Sequence, residues 1–271
     1  MKAPAFAYAK PRSLAEALEL LERHGEGARI LAGGQSLVPT LNMRLSSPEL
    51  LVDINGLDEL RGIALSGGTL RIGALTTHSQ VERSAEVRKH LPLLAEAVPH
   101  IAHVAIRNRG TIGGSLSLAD PAAEYPACAL ALSAVMTLKG KAGERKVKAE
   151  QFFKALFETE LKPGEVLTAV EFPVRQAADR SHFQELTRRH GDYAIVGLAA
   201  HRNAEGLRLA YFGAGATPVL ARQAAAKRTL EEAKAALEKD LEPPADLYHS
   251  AATKMHLAKV LLERAWNAIS K

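Results

Sequence analysis

The stretch Ala32-Gly33-Gly34-Gln35-Ser36 follows the apolar run Ala28-Arg29-Ile30-Leu31 and opens onto Leu37-Val38-Pro39. A second stretch of the same kind, Thr111-Ile112-Gly113-Gly114-Ser115, comes later. Paired glycines let a backbone approach a ligand closely, and successive N–H groups in such a loop can converge on an anion. Both stretches read as loops that grip one diphosphate. Neither is GxGxxG or GxxxxGK[ST], so a Rossmann fingerprint and a P-loop are both unsupported. Gly67-Gly68 shows the bland alternative, a pair of glycines that makes a turn and nothing more.

Around the first stretch the pattern is a β-loop-α-β unit. Ser13 and Glu16 form a capping-box pair ahead of Leu14, Ala17, Leu18 and Leu21, which share one helical face until Gly25 ends it. Ala28 to Leu31 is a short buried strand and Leu37 to Leu45 a short helix with Pro39 in its first turn, where a missing N–H costs nothing. The N-terminus of that helix points its partial positive charge at whatever the loop holds. Leu50 to Ile54 is the next strand.

Further on, Arg61 to Leu75 predicts a hairpin turning at Gly67-Gly68, Thr77 caps a helix through Val81, and Pro92 starts a helix running towards Val104. Beyond the second glycine stretch come a helix over Tyr125 to Ala134, a hairpin over Val135 to Lys148 turning at Lys139-Gly140-Lys141, and a strand over Val166 to Phe172. Three runs, Phe183 to Arg188, Ala194 to Arg202 and Leu207 to Phe212, have the spacing of an antiparallel meander. Ala221 to Leu237 and Leu247 to Ile269 show helical periodicity, the latter with a stripe of Met255, Ala258, Leu262, Ala265 and Trp266 that belongs to a core.

Composition narrows the function. The chain has 271 residues, 47% hydrophobic and 24% charged, enough for about two domains. Its single cysteine, Cys128, can hold neither an iron-sulfur cluster nor a Cys-rich zinc site, so any metal redox centre belongs to another chain. The net charge of +5 is dispersed, and a basic stripe with interleaved aromatics is missing, which argues against nucleic acid. No apolar run is long enough for a membrane span, and the first residues lack a signal-peptide core, so a cytoplasmic protein is expected.

Asp120 and Glu124 stand beside the second glycine stretch. Carboxylates there would repel a phosphate, so they suit sugar or ribityl hydroxyls; the alternative for Asp120 is a helix cap ahead of Pro121. His100 and His103 lack a third metal ligand and read as surface or packing residues. Arg107 and Arg109 either add positive potential near the ligand or are ordinary solvated bases. No nucleophile-and-base spacing is present, so any chemistry belongs to a cofactor.

Ala32-Gly33-Gly34-Gln35-Ser36, Thr111-Ile112-Gly113-Gly114-Ser115, Ala119-Asp120-Pro121 and Arg188-Arg189 followed by Asp192-Tyr193-Ala194 together resemble the FAD-binding subunit of the xanthine dehydrogenase and carbon monoxide dehydrogenase family of molybdenum hydroxylases. The resemblance spans almost the whole chain. It implies an α+β protein: a PCMH-type, vanillyl-alcohol oxidase-like FAD-binding domain over 1–173, with subdomains of about 1–56 and 57–173, then a C-terminal domain of antiparallel sheet and helices over 174–271. FAD is the implied cofactor. The implied partners are a large molybdopterin-binding subunit, a small subunit with 2Fe-2S clusters, and an external electron acceptor.

Carried onto this chain, the resemblance assigns Ala32, Gly33, Gly34, Gln35, Ser36 and Leu37, with Thr111 to Ser115 including Gly114, to the diphosphate of the cofactor, and places Leu31, Ser117 and Asp120 among the other cofactor-binding residues. Glu124 faces its ribityl or ribose hydroxyls, Ile101 and Ala102 line its adenine end, Leu167 packs nearby, and Tyr193 sits by the isoalloxazine ring. Ser115 stands where the family often has Asn, Glu124 where Asp is common, and Gln184 where some relatives carry Lys. Two further readings stay open from the residues alone: a free-standing flavin oxidoreductase with its own organic substrate, and an assembly module without FAD.

Overall fold

The computed structural model of the protein describes residues 2–270. Three sheets organise it. The strands Ala7–Ala9, Leu50–Asp53 and Ala28–Leu31 form a parallel sheet with Leu50–Asp53 in the middle. The first helix, Leu14–His24, starts where Ser13 accepts the Glu16 N–H and stops at Gly25, whose φ of 50° an L side chain resists. It buries Ala17, Leu18 and Leu21 against Val52 and Ile54. The edge strand Ala7–Ala9 is too short to carry a periodic signal and is not foreseen from sequence.

The second sheet is antiparallel, in the order Ile63–Ser66, Thr69–Gly73, Val166–Pro173, Val135–Gly140, Gly143–Lys148. The glycine pair Gly67-Gly68 makes its first hairpin turn with both φ values positive and open space around each, as a turn requires. The second hairpin turns at Lys141-Ala142, one step later than the expected Lys139-Gly140-Lys141, because Gly140 and Gly143 still pair with each other.

Helices cover this sheet. The helix expected to run from Pro92 towards Val104 ends at Ala97 and gives way to the tight turn Val98–His100 and a new helix at Val104–Arg107. Pro99 lacks the N–H that would continue the ladder.

The third sheet is the expected meander, Arg180–Leu186, Val196–Asn203 and Gly206–Phe212, with a short fourth strand at Val219–Leu220. Alternation along Val196–Asn203 splits its two faces. Val196, Leu198 and Ala200 pack under the long helix Ala251–Ile269, whose Ala258, Leu261, Leu262 and Ala265 are buried. On the other face, Ala199 joins Phe183, Ala210 and Phe212 in the core shared with Leu93, Leu94 and Tyr125. The expected helix over Ala221 to Leu237 is two helices, Arg222–Ala225 and Leu230–Leu237, because the Thr229 hydroxyl accepts the Glu232 N–H and starts a second one. No helix among the described residues is long and apolar enough to cross a membrane.

Candidate functional site

A cavity of about 620 Å³ opens where the strand Ala28–Leu31 ends. Its wall brings together Ala32 to Leu37, Ile101, Ala102, Thr111, Gly114, Ser115, Ser117, Asp120, Glu124, Leu167 and Tyr193. Of the residues assigned from sequence, Leu31 stands apart. Its carbonyl accepts the Ile54 N–H as the sheet ends, and it does not line the cavity.

The two glycine stretches are built differently. In the first, Gly33, Gly34, Gln35, Ser36 and Leu37 donate their backbone N–H groups to no acceptor among the described residues. Gly34 has a φ of 72°, and the short helix Leu37–Asn42 follows directly. Buried or half-buried N–H groups left without a partner are costly and rare, so a row of them in a cavity wall marks a place for an acceptor-rich group.

The second stretch is not a loop. Thr111 caps the helix Ile112–Leu118, and the glycines lie in its first turn. Its donors are already engaged: Ile112 N–H with Thr76 O, Gly113 N–H with Ala74 O, Gly114 N–H with Thr111 Oγ1, and Ser115 N–H with Thr111 O. What it offers the cavity is hydroxyl, from Ser115 and Ser117, neither of which hydrogen-bonds within the described protein. The expectation that both stretches present converging N–H groups therefore fails for the second one.

Backbone crowding explains the glycines. A Cβ on Gly33 would lie 2.3 Å from Arg109 O and 2.8 Å from Gly110 Cα, so the first loop rests directly on the chain entering the second. A Cβ on Gly113 would lie 2.4 Å from Ala74 Cβ. These glycines join two walls of the cavity, a role that the paired-glycine motif, which predicts close approach to a ligand, does not show.

Acidic groups line the far side. Asp120 does not cap a helix; Ala123 precedes the helix Glu124–Ala131, and Asp120 Oδ1 accepts the Ala122 N–H at 2.9 Å. Burial holds the Asp120 carboxyl above its ordinary range. Glu124 is 8% exposed, and burial, reinforced by the negative Glu185, pushes its pKa up to about 8. A carboxyl that keeps its proton at neutral pH can donate a hydrogen bond as well as accept one. Tyr193 is 70% exposed at the cavity wall. His100 Nδ1 lies 3.4 Å from Glu185 Oε1 and does not reach the cavity.

Several site residues escape sequence reading. Asn55 Nδ2 donates to Ala32 O at 2.7 Å and to Asp53 Oδ1 at 2.8 Å, while Tyr8 Oη donates to Asp53 Oδ2 at 2.5 Å. This chain of contacts fixes the carbonyl side of the first loop and leaves its N–H side free. Asn55→Ala is expected to cost about 1–2 kcal/mol, since it strands the Ala32 carbonyl, whereas Asp53 Oδ1 keeps the backbone N–H of residue 55. Thermal unfolding of the cofactor-free protein should show it as a drop of about 3–6 °C. His78 lines the cavity, with burial pushing its pKa down to about 4. The hairpin of Phe153–Ala155 and Glu158–Thr159 contributes Phe157.

Free N–H groups on one wall, hydroxyls on a second and a half-buried and a buried acid on a third define a site for a large ligand with an anionic middle and several hydroxyls. The chain belongs to the family of FAD-binding (medium) subunits of the xanthine and carbon monoxide dehydrogenases. The family described as the FAD binding domain in molybdopterin dehydrogenase matches residues 4–175, and the CO dehydrogenase flavoprotein C-terminal domain matches residues 181–269. The 6-hydroxypseudooxynicotine dehydrogenase complex subunit alpha of Paenarthrobacter nicotinovorans is 39% identical over 97% of this chain and 94% of its own. The xanthine dehydrogenase FAD-binding subunit of Escherichia coli O157:H7 is 30% identical over 95% and 93%. A chain of the solved carbon monoxide dehydrogenase of Hydrogenophaga pseudoflava superposes with a TM-score of 0.95 and 37% identity, covering 100% of this chain and 99% of that one. The protein is accordingly an FAD-binding oxidoreductase subunit of α+β fold.

Proposed function

We propose that the cavity holds FAD with its diphosphate against Gly33 to Leu37, and that the chain is the flavin subunit of a heteromeric molybdenum hydroxylase. The unpartnered N–H row carries this reading, because a diphosphate supplies the acceptors that the row lacks. Ser115 and Ser117 donate hydroxyls from the facing wall. Asp120 and the protonated Glu124 take the ribityl or ribose hydroxyls, which a pair of charged carboxylates beside a phosphate could not do as favourably. Ile101 and Ala102 supply an apolar surface for adenine, Leu167 packs beside it, and Tyr193 offers an aromatic face at the ring end. FAD, when bound, accepts electrons singly or in pairs and so links one-electron carriers to a two-electron acceptor.

In this reading the division at about residue 173 separates the cofactor-binding part, itself two subdomains meeting near residue 56, from the C-terminal part that brings Tyr193. Electrons arrive from the 2Fe-2S clusters of a small partner subunit, fed by a large molybdopterin-binding subunit, and leave to an external acceptor. The cytoplasm is the proposed location, and the single buried thiol, Cys128, fits a chain that needs no disulfide. The test is one preparation of the chain with its co-purifying subunits. It should show flavin absorption, or acquire it when FAD is titrated in, together with two further chains of those classes. A colourless preparation that takes up no FAD would overturn the reading. Steady turnover by the chain alone would favour a free-standing oxidoreductase.

A further inference from the structure

Arg107 precedes the second glycine stretch, yet its charge does not face the cavity as a free cation. It is 7% exposed, and its Nε donates to Glu82 Oε2 at 3.0 Å. One terminal nitrogen donates to Ala102 O at 3.0 Å and Ile101 O at 3.1 Å, with Pro99 O at 3.4 Å. The Ile101 and Ala102 carbonyls belong to the turn between Val98–His100 and Val104–Arg107, and the Pro99 carbonyl to Val98–His100 itself.

Ala102 in that turn has a φ of 45°, a left-handed conformation that an L side chain resists. Its carbonyl is also covered from the other side. Gly191, with a φ of 79°, sits so close that a Cβ there would lie 2.6 Å from Ala102 O. One carbonyl is thus held from within by a guanidinium and covered from without by a C-terminal loop. Ile101 and Ala102 line the cavity on one side of this contact, and Gly191, Asp192 and Tyr193 line it on the other.

We propose that Arg107 is a positioning residue: it holds the Ile101–Ala102 turn in its left-handed form and thereby seats the Gly191–Tyr193 loop at the cavity, coupling cofactor affinity to the C-terminal sheet. The proposal rests on the reading that the cavity takes FAD. Glu82 neutralises the buried charge, leaving the planar fork to act through its geometry, which a lysine ammonium does not reproduce.

The test uses the full chain and two readouts, FAD titration followed by flavin fluorescence, and amide exchange of Asp192 and Tyr193 without cofactor. Arg107→Lys is expected to weaken FAD by about tenfold and to speed exchange at both amides. Adding Ala102→Gly to that variant should recover most of the loss, since glycine adopts the left-handed turn without a clamp. A purely structural role for Arg107 would show no such rescue. Affinity and exchange unchanged in Arg107→Lys, or a double variant no better than the single one, would overturn the proposal. If Arg107→Lys does not fold, Ala102→Val with Arg107 intact strains the same turn and must weaken binding, and an unchanged affinity there is equally fatal. Should the unaltered chain bind no FAD, the cavity reading falls, while the exchange data still decide the role of Arg107.

Discussion

Gly33→Ala should lower FAD affinity by about 100-fold, equivalent to about 2.7 kcal/mol. The reason is contact between backbones. Gly33 carries no positive φ, so alanine meets no conformational penalty there, but its Cβ would stand 2.3 Å from Arg109 O. Neither partner is a flexible side chain, so the first loop must lift away from the chain that leads into Thr111. Overpacking of this kind typically costs about 1–3 kcal/mol. The cofactor-free protein can relieve it by separating the two walls, and the cost then falls on the closed, ligand-bound form. A fluorescence titration against the parent chain measures the loss. Gly68→Ala is the control: its φ is 80° but the space around it is open, so stability should fall with affinity unchanged. Equal FAD affinity in Gly33→Ala and the parent would show that the two walls need not touch.

The second large effect is in pH dependence. Glu124 has a pKa near 8 in the folded chain against 4.5 in its ordinary state, with burial as the main cause and Glu185 and Asp120 adding to it. Below pH 4.5 both folded and unfolded chains hold the proton. Between pH 4.5 and 8 the unfolded chain has lost it while the folded chain keeps it, so the folded state binds more protons and stability falls as pH rises. Above pH 8 this contribution levels off. Its full size is on the order of 4 kcal/mol. Glu124→Gln removes the titration while keeping a hydrogen-bonding amide, so its unfolding midpoint in urea should exceed that of the parent at pH 8 and approach it at pH 5. A parent chain and a Glu124→Gln variant with parallel pH profiles would show that Glu124 ionises normally.

Local chemistry made much of the fold legible. The Ser13 cap, the Gly67-Gly68 turn and the alternating meander all rest on contacts between residues close in sequence, and each is found, although the expected capping box is only half made, since Glu16 Oε2 accepts the Arg12 N–H in place of the Ser13 N–H. The misses share a different cause. The helix after Pro92 is broken by Pro99, and the helical run after Ala221 is cut by Thr229, both of which compete locally with an otherwise continuous apolar pattern. At the site, the residues that carry motifs could be named from sequence. The residues that hold those motifs in place could not. Asn55 reaches Ala32 across 23 positions, and Glu82 reaches Arg107 across 25, distances over which periodicity says nothing. The same limit hid the difference between the two glycine stretches, because Gly113 is required by Ala74, a residue with no motif of its own.

That difference bears on how such sequences are compared. Gly113 answers to Ala74, and would be demanded by the architecture whether or not a flavin was ever loaded, whereas Gly33 is required only where the two walls close. A relative that had abandoned its cofactor could keep the second glycine pair intact for the sake of folding. The trace of such a loss should be sought in the side chains with no structural employer, Ser115 and Ser117, and in the neutral acid Glu124, whose burial brings the fold a penalty and, in the proposed site, would bring the ligand a partner.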